Sequence, residues 1–278
     1  MSQELDFLSI QKKIILVMAH PDDEIIFANS VLSRIDKIII CFQNIPGEVE
    51  ISKGRQLSAL KYPLKNFLQL GITQARFSGE IIDWNKPLET KYGIKGYLNQ
   101  KDYKKNYLLL FEKLSSYLTK DVLVITHNPW GEYGHPEHIQ VNRVISELAN
   151  LKKFEYFVTG FVSTSTLNFS RKCINRLSEN FIEYKTNIQL YESIKNLYLK
   201  NKCWTWFSDK KINRNEIFYK QIKFSIQDLN CEKSIKQRDL FVIDDGSNFS
   251  RNFLHILKLF LPYFIKKFLR SLKLRYAK

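Results

Sequence analysis

The chain has 278 residues, 44% of them hydrophobic and 14% aromatic, which excludes a disordered polypeptide and supports a substantial core. Its formal net charge is +15, and its four cysteines form no C-x-x-C pair, which argues against a disulfide framework or a structural zinc site. Reduced thiols are typical of a cytoplasmic protein, and the N-terminus, with Glu4 and Asp6, does not have the pattern of a signal peptide. Length and composition therefore predict one globular domain with additions.

The first predicted strand, residues 14–18, ends in a cluster of ionisable side chains. Its apolar run is β-branched at the start, as in a buried strand, and the sequence His-Pro-Asp-Asp-Glu follows at residues 20–24. Ligands of open α/β sheets bind at the carboxyl ends of strands, so this cluster indicates a metal or acid–base site. The alternative is that Asp22 caps a helix and Glu24 complements its dipole. A catalytic zinc commonly takes three protein ligands, so a second ligand segment is expected elsewhere.

The next elements alternate between strands and helices. Strands are predicted at 14–18, 37–42, 66–70, 121–125 and 155–162, and helices near 23–34, 50–61, 103–118 and 136–149. This order is typical of βαβ units and predicts an α/β fold with a mostly parallel sheet flanked by helices. Residues 71–102 are rich in glycine and aromatics, and such an insertion commonly forms the wall of a substrate cleft.

The second cluster follows the predicted strand 121–125. The chain passes through His127 and a glycine-containing loop to Gly134-His135-Pro136-Glu137-His138, where Pro136 fits the first turn of a helix. Histidines 135 and 138 are three residues apart and lie on one side of that helix start. His127 is either an outer partner of the site or a structural loop residue.

The two clusters together resemble the signature of the PIG-L (LmbE-like) family of zinc-dependent de-N-acetylases, over roughly residues 12 to 165. The resemblance implies a Rossmann-like sheet with zinc at the carboxyl ends of its strands. By motif position it implies His20, Asp23 and His138 as zinc ligands, Asp22 as general base, and His135 as stabiliser of the oxyanion. Glu137 stands where the family more often has Asp, at a position that is not a ligand.

The residue types fit this chemistry in their own right. Two imidazoles and one carboxylate leave a fourth position on zinc for water, whose pKa falls towards about 7, while ferrous iron is the alternative metal. Asp22 is expected to take the proton of the water, and a protonated His135 to bind the oxyanion. Trp84, Tyr92 and Tyr97 of the insertion are candidates to stack on a sugar ring, or else they pack the insertion against the domain.

Beyond the catalytic core, assigned to residues 1–165, the resemblance fades. Residues 166–250 are predicted to form an extension packed on the core, in which Trp204 and Trp206 either contribute to an acceptor pocket or are buried. Residues 251–278 carry eight Lys and Arg side chains and no acidic one. Beyond Pro262 the apolar and basic residues segregate as in an interfacial amphipathic helix, which predicts a cytoplasmic enzyme bound peripherally to an anionic membrane surface. A helix docked on the protein core or in an oligomer interface is the alternative.

Two functions follow from these patterns. The first is a zinc de-N-acetylase of an N-acetylated amino sugar, for instance a lipid-linked or nucleotide-activated intermediate of cell-surface glycan biosynthesis, with acylated thiol-glycosides and glycopeptides as other substrates. The second is a non-catalytic carbohydrate- or phosphate-binding membrane-associated protein on the same fold. The complete set of ligands and base favours the first. No nucleic-acid module is recognised, and the sequence does not indicate an oligomeric state.

Overall fold

A computed structural model of the protein describes residues 11–207, 209–222 and 239–243. These residues form an α/β fold around a seven-stranded sheet. The strands are β1 (Lys13–Met18), β2 (Lys37–Asn44), β3 (Phe67–Thr73), β4 (Glu89–Thr90), β5 (Gly93–Ile94), β6 (Val122–Thr126), β7 (Glu155–Thr159), β8 (Phe161–Val162), β9 (Leu177–Lys185), β10 (Asn215–Gln221) and β11 (Phe241–Val242). The α-helices are α1 (Asp23–Phe27), α2 (Val49–Leu60), α3 (Gln100–Ser115), α4 (Pro136–Lys152), α5 (Leu167–Cys173) and α6 (Ile188–Lys200), with 3-10 helices at Asn29–Arg34 and Ile174–Arg176.

The order of the strands in the sheet reverses next to β1. The sheet runs β3-β2-β1-β6-β7-β10-β9; the first five of these strands are parallel, whereas β10 is antiparallel to both of its neighbours. After β1 the chain continues to β2 on one side, and β6 later pairs with β1 on the other side. Ligands of open α/β sheets bind at such a reversal of strand order, outside the carboxyl ends of the strands.

The central strands are apolar because helices cover both faces of the sheet. All five residues of β6 and the last five of β1 are buried, without the alternation of a half-exposed strand. Leu110 and Leu114 of α3 and Val141, Val144 and Ile145 of α4 are buried with these strands in one hydrophobic core. The predicted α/β class and mostly parallel sheet are therefore confirmed.

Two predicted elements differ in detail from those observed. The predicted helix 23–34 breaks at Ala28 into α1 and a 3-10 helix, because the buried Glu216 carboxylate of β10 accepts hydrogen bonds from the backbone N–H groups of Asn29 and Ser30. The predicted strand 155–162 is interrupted at Gly160, whose N–H donates to the carbonyl of Ile217. Both breaks arise from contacts with β10, a strand far away in the chain.

The described part of the extension continues the sheet of the core. Strands β9 and β10 form its antiparallel edge, and α6 contacts α1 and α2. The chain divides into one compact unit of residues 1–205 and 211–243 and a second of 206–210 and 244–278. Within the second unit the Lys210 ammonium lies 4.7 Å from the centre of the Trp206 ring. The predicted amphipathic tail, residues 251–278, lies outside the described residues, and none of the described helices is long and apolar enough to cross a membrane.

Candidate active site

The two ionisable clusters meet at the carboxyl ends of β1 and β6. These strands are parallel neighbours, so the segment after Met18 and the loop after Thr126 emerge side by side. The loop returns to the sheet edge at the start of α4, where Pro136 occupies the first turn. Gly131 and Gly134 adopt φ values of 69° and 88°, a conformation that favours glycine. A Cβ at Gly134 would lie 2.6 Å from the Trp84 ring, so the close approach of these two residues requires glycine.

Three side chains converge at this edge. The Nδ1 atom of His20 lies 3.1 Å from Oδ2 of Asp23 and 3.2 Å from Nε2 of His138. The same Nε2 atom lies 3.2 Å from Asp23 Oδ2. All three side chains are buried. The residues that the sequence singled out as ligands therefore place one donor atom each around a common point.

Two buried carboxylates orient the imidazoles of this cluster. Glu137 lies 2.8 Å from Nε2 of His20, and Glu132 lies 2.7 Å from Nδ1 of His138. A carboxylate accepts a hydrogen bond, so Glu137 and Glu132 favour a proton on the outer nitrogen of each imidazole, and a neutral ring in that tautomer directs a lone pair towards the common point. Burial would raise the pKa of Glu132, but the neighbouring His127 and His138 lower it to about 2.

His127 and His135 are adjacent to this cluster but present no free lone pair to it. Nε2 of His127 accepts a hydrogen bond from the backbone N–H of Ala19 at 2.8 Å, and its Nδ1 faces Glu132 at 3.0 Å. Nδ1 of His135 accepts from the backbone N–H of Glu137 at 3.3 Å, which leaves the proton on Nε2. His127 is therefore an outer partner of the site, one of the two roles that the sequence left open.

A metal ion fits the donor set of the cluster. With both imidazoles neutral in that tautomer, two nitrogen lone pairs and one carboxylate oxygen face one another, an arrangement that a cation would stabilise. Ligand atoms about 2.0–2.1 Å from a tetrahedral zinc lie about 3.3 Å apart, close to the 3.1 and 3.2 Å observed. The buried Oδ1 atom of Asp23 also has no hydrogen-bond partner among the described residues. Among the described residues, the groups of side chains close enough to share a metal ion are His20, His135 and His138, and Asp23, His127 and His138, so His20, Asp23 and His138 all belong to a candidate metal site.

Asp22 and Asp23 are adjacent, but the pKa values of their carboxyl groups are shifted in opposite directions. Burial and the Asp23 charge raise the pKa of Asp22 to about 7, against the opposing effects of Arg55 and Thr205. Burial would also raise the pKa of Asp23, but the charges of His138 and His20 hold it well below its usual value. Such separation of two neighbouring carboxyl groups is typical of sites that use one as a fixed anion and the other in proton transfer.

Asp22 is held in an unusual backbone conformation. Its φ is 98°, in the left-handed region that residues with a Cβ rarely adopt, and such strain is concentrated at functional sites. The N–H of Asp22 donates to the Glu24 carboxylate at 2.9 Å, and that carboxylate also accepts from the hydroxyls of Tyr62 and Tyr198 at 3.0 and 2.6 Å. Burial raises the pKa of Glu24 to about 8. Glu24 thus supports the backbone of Asp22, beyond the helix-dipole role that the sequence left open.

The structure disfavours the protonated His135 expected from the sequence. Burial lowers the pKa of His135 well below its usual value, and the neighbouring His20 and His138 lower it further. The hydrogen bond to its Nδ1 independently requires a lone pair on that atom. His135 is therefore a neutral imidazole that can donate a hydrogen bond through Nε2–H.

The three aromatic residues predicted to contact a sugar lie in different places. Trp84 covers Gly134, the residue before His135, and Tyr97 is close enough to Glu137 for the carboxylate charge to raise its pKa together with burial. Tyr92 packs edge-on against Tyr107 of α3 at a centroid distance of 5.3 Å. Trp84 and Tyr97 thus contact or approach residues next to the His20, Asp23 and His138 cluster, whereas Tyr92 attaches the insertion to α3. Their contacts with substrate stay predictions.

An ionic cluster fixes the insertion to α4. The Glu89 carboxylate of β4 accepts hydrogen bonds from both terminal nitrogens of Arg176, at 3.0 and 2.9 Å, and from Arg143 of α4. Burial would raise the pKa of Glu89, but the two guanidinium groups lower it. All three side chains are largely buried, so removal of Glu89 would leave two buried guanidinium groups without this carboxylate.

Three further site residues carry no sequence motif. Glu132 orients His138, Thr205 donates two hydrogen bonds to Asp22, and Arg55 of α2 lies close enough to Asp22 to lower its pKa. Arg55 is 2% exposed, and its Nε and Nη1 atoms have no hydrogen-bond partner among the described residues. Glu132 could have been identified from the sequence, because it is the charged residue of the otherwise uncharged loop 128–134. No local sequence pattern marks Arg55 or Thr205 as a site residue.

Comparison with known proteins relates the fold to deacetylases. No protein-family model matches the sequence, and no curated protein does. A solved structure described as a deacetylase–bog complex in the biosynthesis pathway of teicoplanin is similar with a TM-score of 0.51 and 9% identity, over 77% of this chain and 99% of that one. A zinc inhibited form of teicoplanin deacetylase gives a TM-score of 0.50 and 8% identity over the same shares. At these identities the similarity establishes the fold, which is the one that the family resemblance implied.

Proposed function

We propose that the protein is a zinc-dependent de-N-acetylase that hydrolyses the acetamide of an N-acetylated amino sugar. The observation that carries this proposal is the convergence of His20 Nδ1, Asp23 Oδ2 and His138 Nε2 at 3.1 and 3.2 Å beside Asp22 and His135. Two structures of similar fold are described as deacetylases, one of them in a zinc inhibited form, and this supports the same class of reaction here.

The proposed metal ligands are His20, Asp23 and His138. Bound zinc supplies a Lewis acid for the amide carbonyl and lowers the pKa of a water molecule towards about 7. Ferrous iron suits the same nitrogen and oxygen donors, so the donor set alone does not fix the metal. Glu137 and Glu132 keep both imidazoles in the tautomer that leaves a lone pair for the metal.

Proton transfer is assigned to Asp22. As a carboxylate it accepts a proton from the attacking water, and it then delivers that proton to the departing amine nitrogen as the C–N bond breaks. The products are acetate and the free amino sugar. His135 donates a hydrogen bond from Nε2–H to the carbonyl oxygen, on which negative charge develops, so its contribution does not need an imidazolium.

The burial of Arg55 favours a substrate that carries a phosphate group. Its buried guanidinium forms no salt bridge with the described residues, and an anionic ligand would compensate its charge more fully than the nearby Asp22 does. Its influence on the pKa of Asp22 indicates that such a ligand would bind beside the proposed base. A phosphate beside the acetamido group is what a lipid-linked or nucleotide-activated amino sugar contains, and either could serve cell-surface glycan biosynthesis.

Acetate release tests the proposal. We expect the zinc-loaded full chain to release acetate from N-acetylated amino sugars, with a higher kcat/KM for a nucleotide-activated donor such as UDP-N-acetylglucosamine than for free N-acetylglucosamine. An N-acetylated glycopeptide belongs in the same panel. Tight binding of these sugars without acetate release would instead identify a non-catalytic carbohydrate-binding protein on this fold.

A further inference from the structure

One oxygen of Asp22 is bound by a residue from the extension. Its Oδ2 atom accepts the hydroxyl of Thr205 at 2.6 Å and the backbone N–H of the same residue at 3.2 Å. The other oxygen, Oδ1, has no hydrogen bond to any residue in the described part of the chain. Two donors that bind the same oxygen from different directions hold that oxygen in place, and they thereby restrict rotation of the carboxylate about its bond to Cβ.

The segment that carries Thr205 is itself fixed to the core. Gly54 of α2 permits it to approach closely, since a Cβ at that position would lie 2.1 Å from the carbonyl oxygen of Asn201. The side chain of Asn201 donates to the hydroxyl of Ser58 at 2.9 Å, and the N–H of Cys203 donates to the carbonyl of Tyr198 at 3.0 Å. Thr205 is therefore placed by packing against α2 and α6 and by its own hydrogen bonds.

The same region also supports the backbone of Asp22. Tyr198, in the last turn of α6, donates to Glu24, and Glu24 accepts the N–H of Asp22. The extension thus contacts Asp22 by two routes, one through the backbone and one through the side chain. A residue that only caps a helix does not need both contacts, because an N-cap side chain usually makes one hydrogen bond.

We propose that Thr205 is a positioning residue that binds Oδ2 of Asp22 and leaves Oδ1 as the atom that exchanges the proton with water and amine. This inference rests on the proposed function. The Thr205 hydroxyl stays a donor throughout, so the proton taken by Oδ1 from water is the one delivered to the amine nitrogen. The extension, where the family resemblance fades, would then contribute directly to the geometry of catalysis.

Substitutions of Thr205 in the full-length chain test this role. Thr205→Val keeps the shape and removes the hydroxyl, and we expect kcat for acetate release from UDP-N-acetylglucosamine to fall about tenfold or more with little change in KM. Thr205→Ser retains the hydroxyl and should recover most of the lost rate. Zinc content and Tm, measured on both variants, should stay near those of the wild type.

A double-mutant cycle separates positioning from other roles. In an Asp22→Asn background, Thr205→Val should lower the residual rate much less than in the wild type, because its effect passes through Asp22. An unchanged kcat in Thr205→Val, an equal loss in both backgrounds, or a change confined to KM would overturn the inference while leaving the proposed function intact. Absence of acetate release by the zinc-loaded wild type would overturn the proposed function, and the inference with it.

Discussion

The site has two sides that differ in how they are built. The proposed metal side comprises His20, Asp23 and His138 with their carboxylate partners, and all of it comes from the segments between β1 and α1 and between β6 and α4, including the first turns of these helices. The base side comprises Asp22, Glu24 and Thr205, and it depends on a segment more than 180 residues away from Asp22 in the sequence. Imidazoles surround Asp23, whereas hydroxyl and backbone donors surround Asp22. Two adjacent carboxylates are therefore suited to different work by their partners.

The largest expected effect comes from removing a donor on the metal side. His138→Ala deletes one of three converging donors and leaves Glu132 without one of its partners, so we expect zinc binding and acetate release to fall to background. Metal analysis of the purified chain and an activity assay measure both. His255→Ala, which replaces a histidine outside both motifs, is the matched control. Full activity in His138→Ala would contradict the assignment of the metal side.

A substitution on the base side should lower activity without lowering metal binding. Asp22→Asn keeps the size of the side chain and removes the carboxylate, and we expect hydrolysis to fall about 10²-fold or more while zinc is retained. Asp121→Asn, at an exposed position, controls for the loss of one negative charge. If Asp22→Asn lost zinc in proportion to activity, Asp22 would be a ligand and the two sides would not be distinct.

A smaller effect is expected from the outer carboxylate of the metal side. Glu132→Gln preserves the shape of the side chain but weakens the acceptor for His138 and His127, so zinc affinity should fall by about 10- to 100-fold. Competition with a chelator measures this affinity. Glu112→Gln, an exposed residue of α3, provides the control. Unchanged zinc affinity in Glu132→Gln would show that the orientation of His138 does not depend on Glu132.

The smallest effect on catalysis should come from the removal of residues 251–278. A chain that ends at Ser250 should keep its fold, its zinc and its turnover of UDP-N-acetylglucosamine, because both sides of the site lie before that point. It should no longer sediment with anionic liposomes, whereas the full chain should, and less so at high salt. Loss of folding, or unchanged liposome binding, would place the basic segment in a structural role or identify another anchor.

The two sides also differ in what the sequence could predict. The place of the metal side follows from local patterns, because an apolar strand followed by a short polar motif puts ionisable side chains at a strand end. The choice of His20, Asp23 and His138 as ligands came from the family resemblance. The base side was only half predictable. Asp22 belongs to a motif, but Thr205 contacts it solely because α6 packs on α1 and α2, and no local pattern contains that information.

The same distinction explains the fold predictions. The central parallel strands β1 and β6 were predictable because they are buried on both faces and read as continuous apolar runs. The edge strand β9 was not, since its nine residues are mostly exposed or half-buried and carry polar side chains on both faces. The break after α1 depends on Glu216, so only the folded chain reveals it.

The ionic cluster of Glu89 sets a condition on redesign of the specificity of this protein. Exchange of the insertion for that of another protein would be the natural way to alter the wall that carries Trp84 and Tyr97. A graft without an acidic residue at the position of Glu89 would bury Arg143 and Arg176 beside each other without the carboxylate that they share, and α4, which carries His138, would bear the repulsion. Specificity and the integrity of the metal side are therefore coupled, and a viable graft must bring its own carboxylate or replace both arginines.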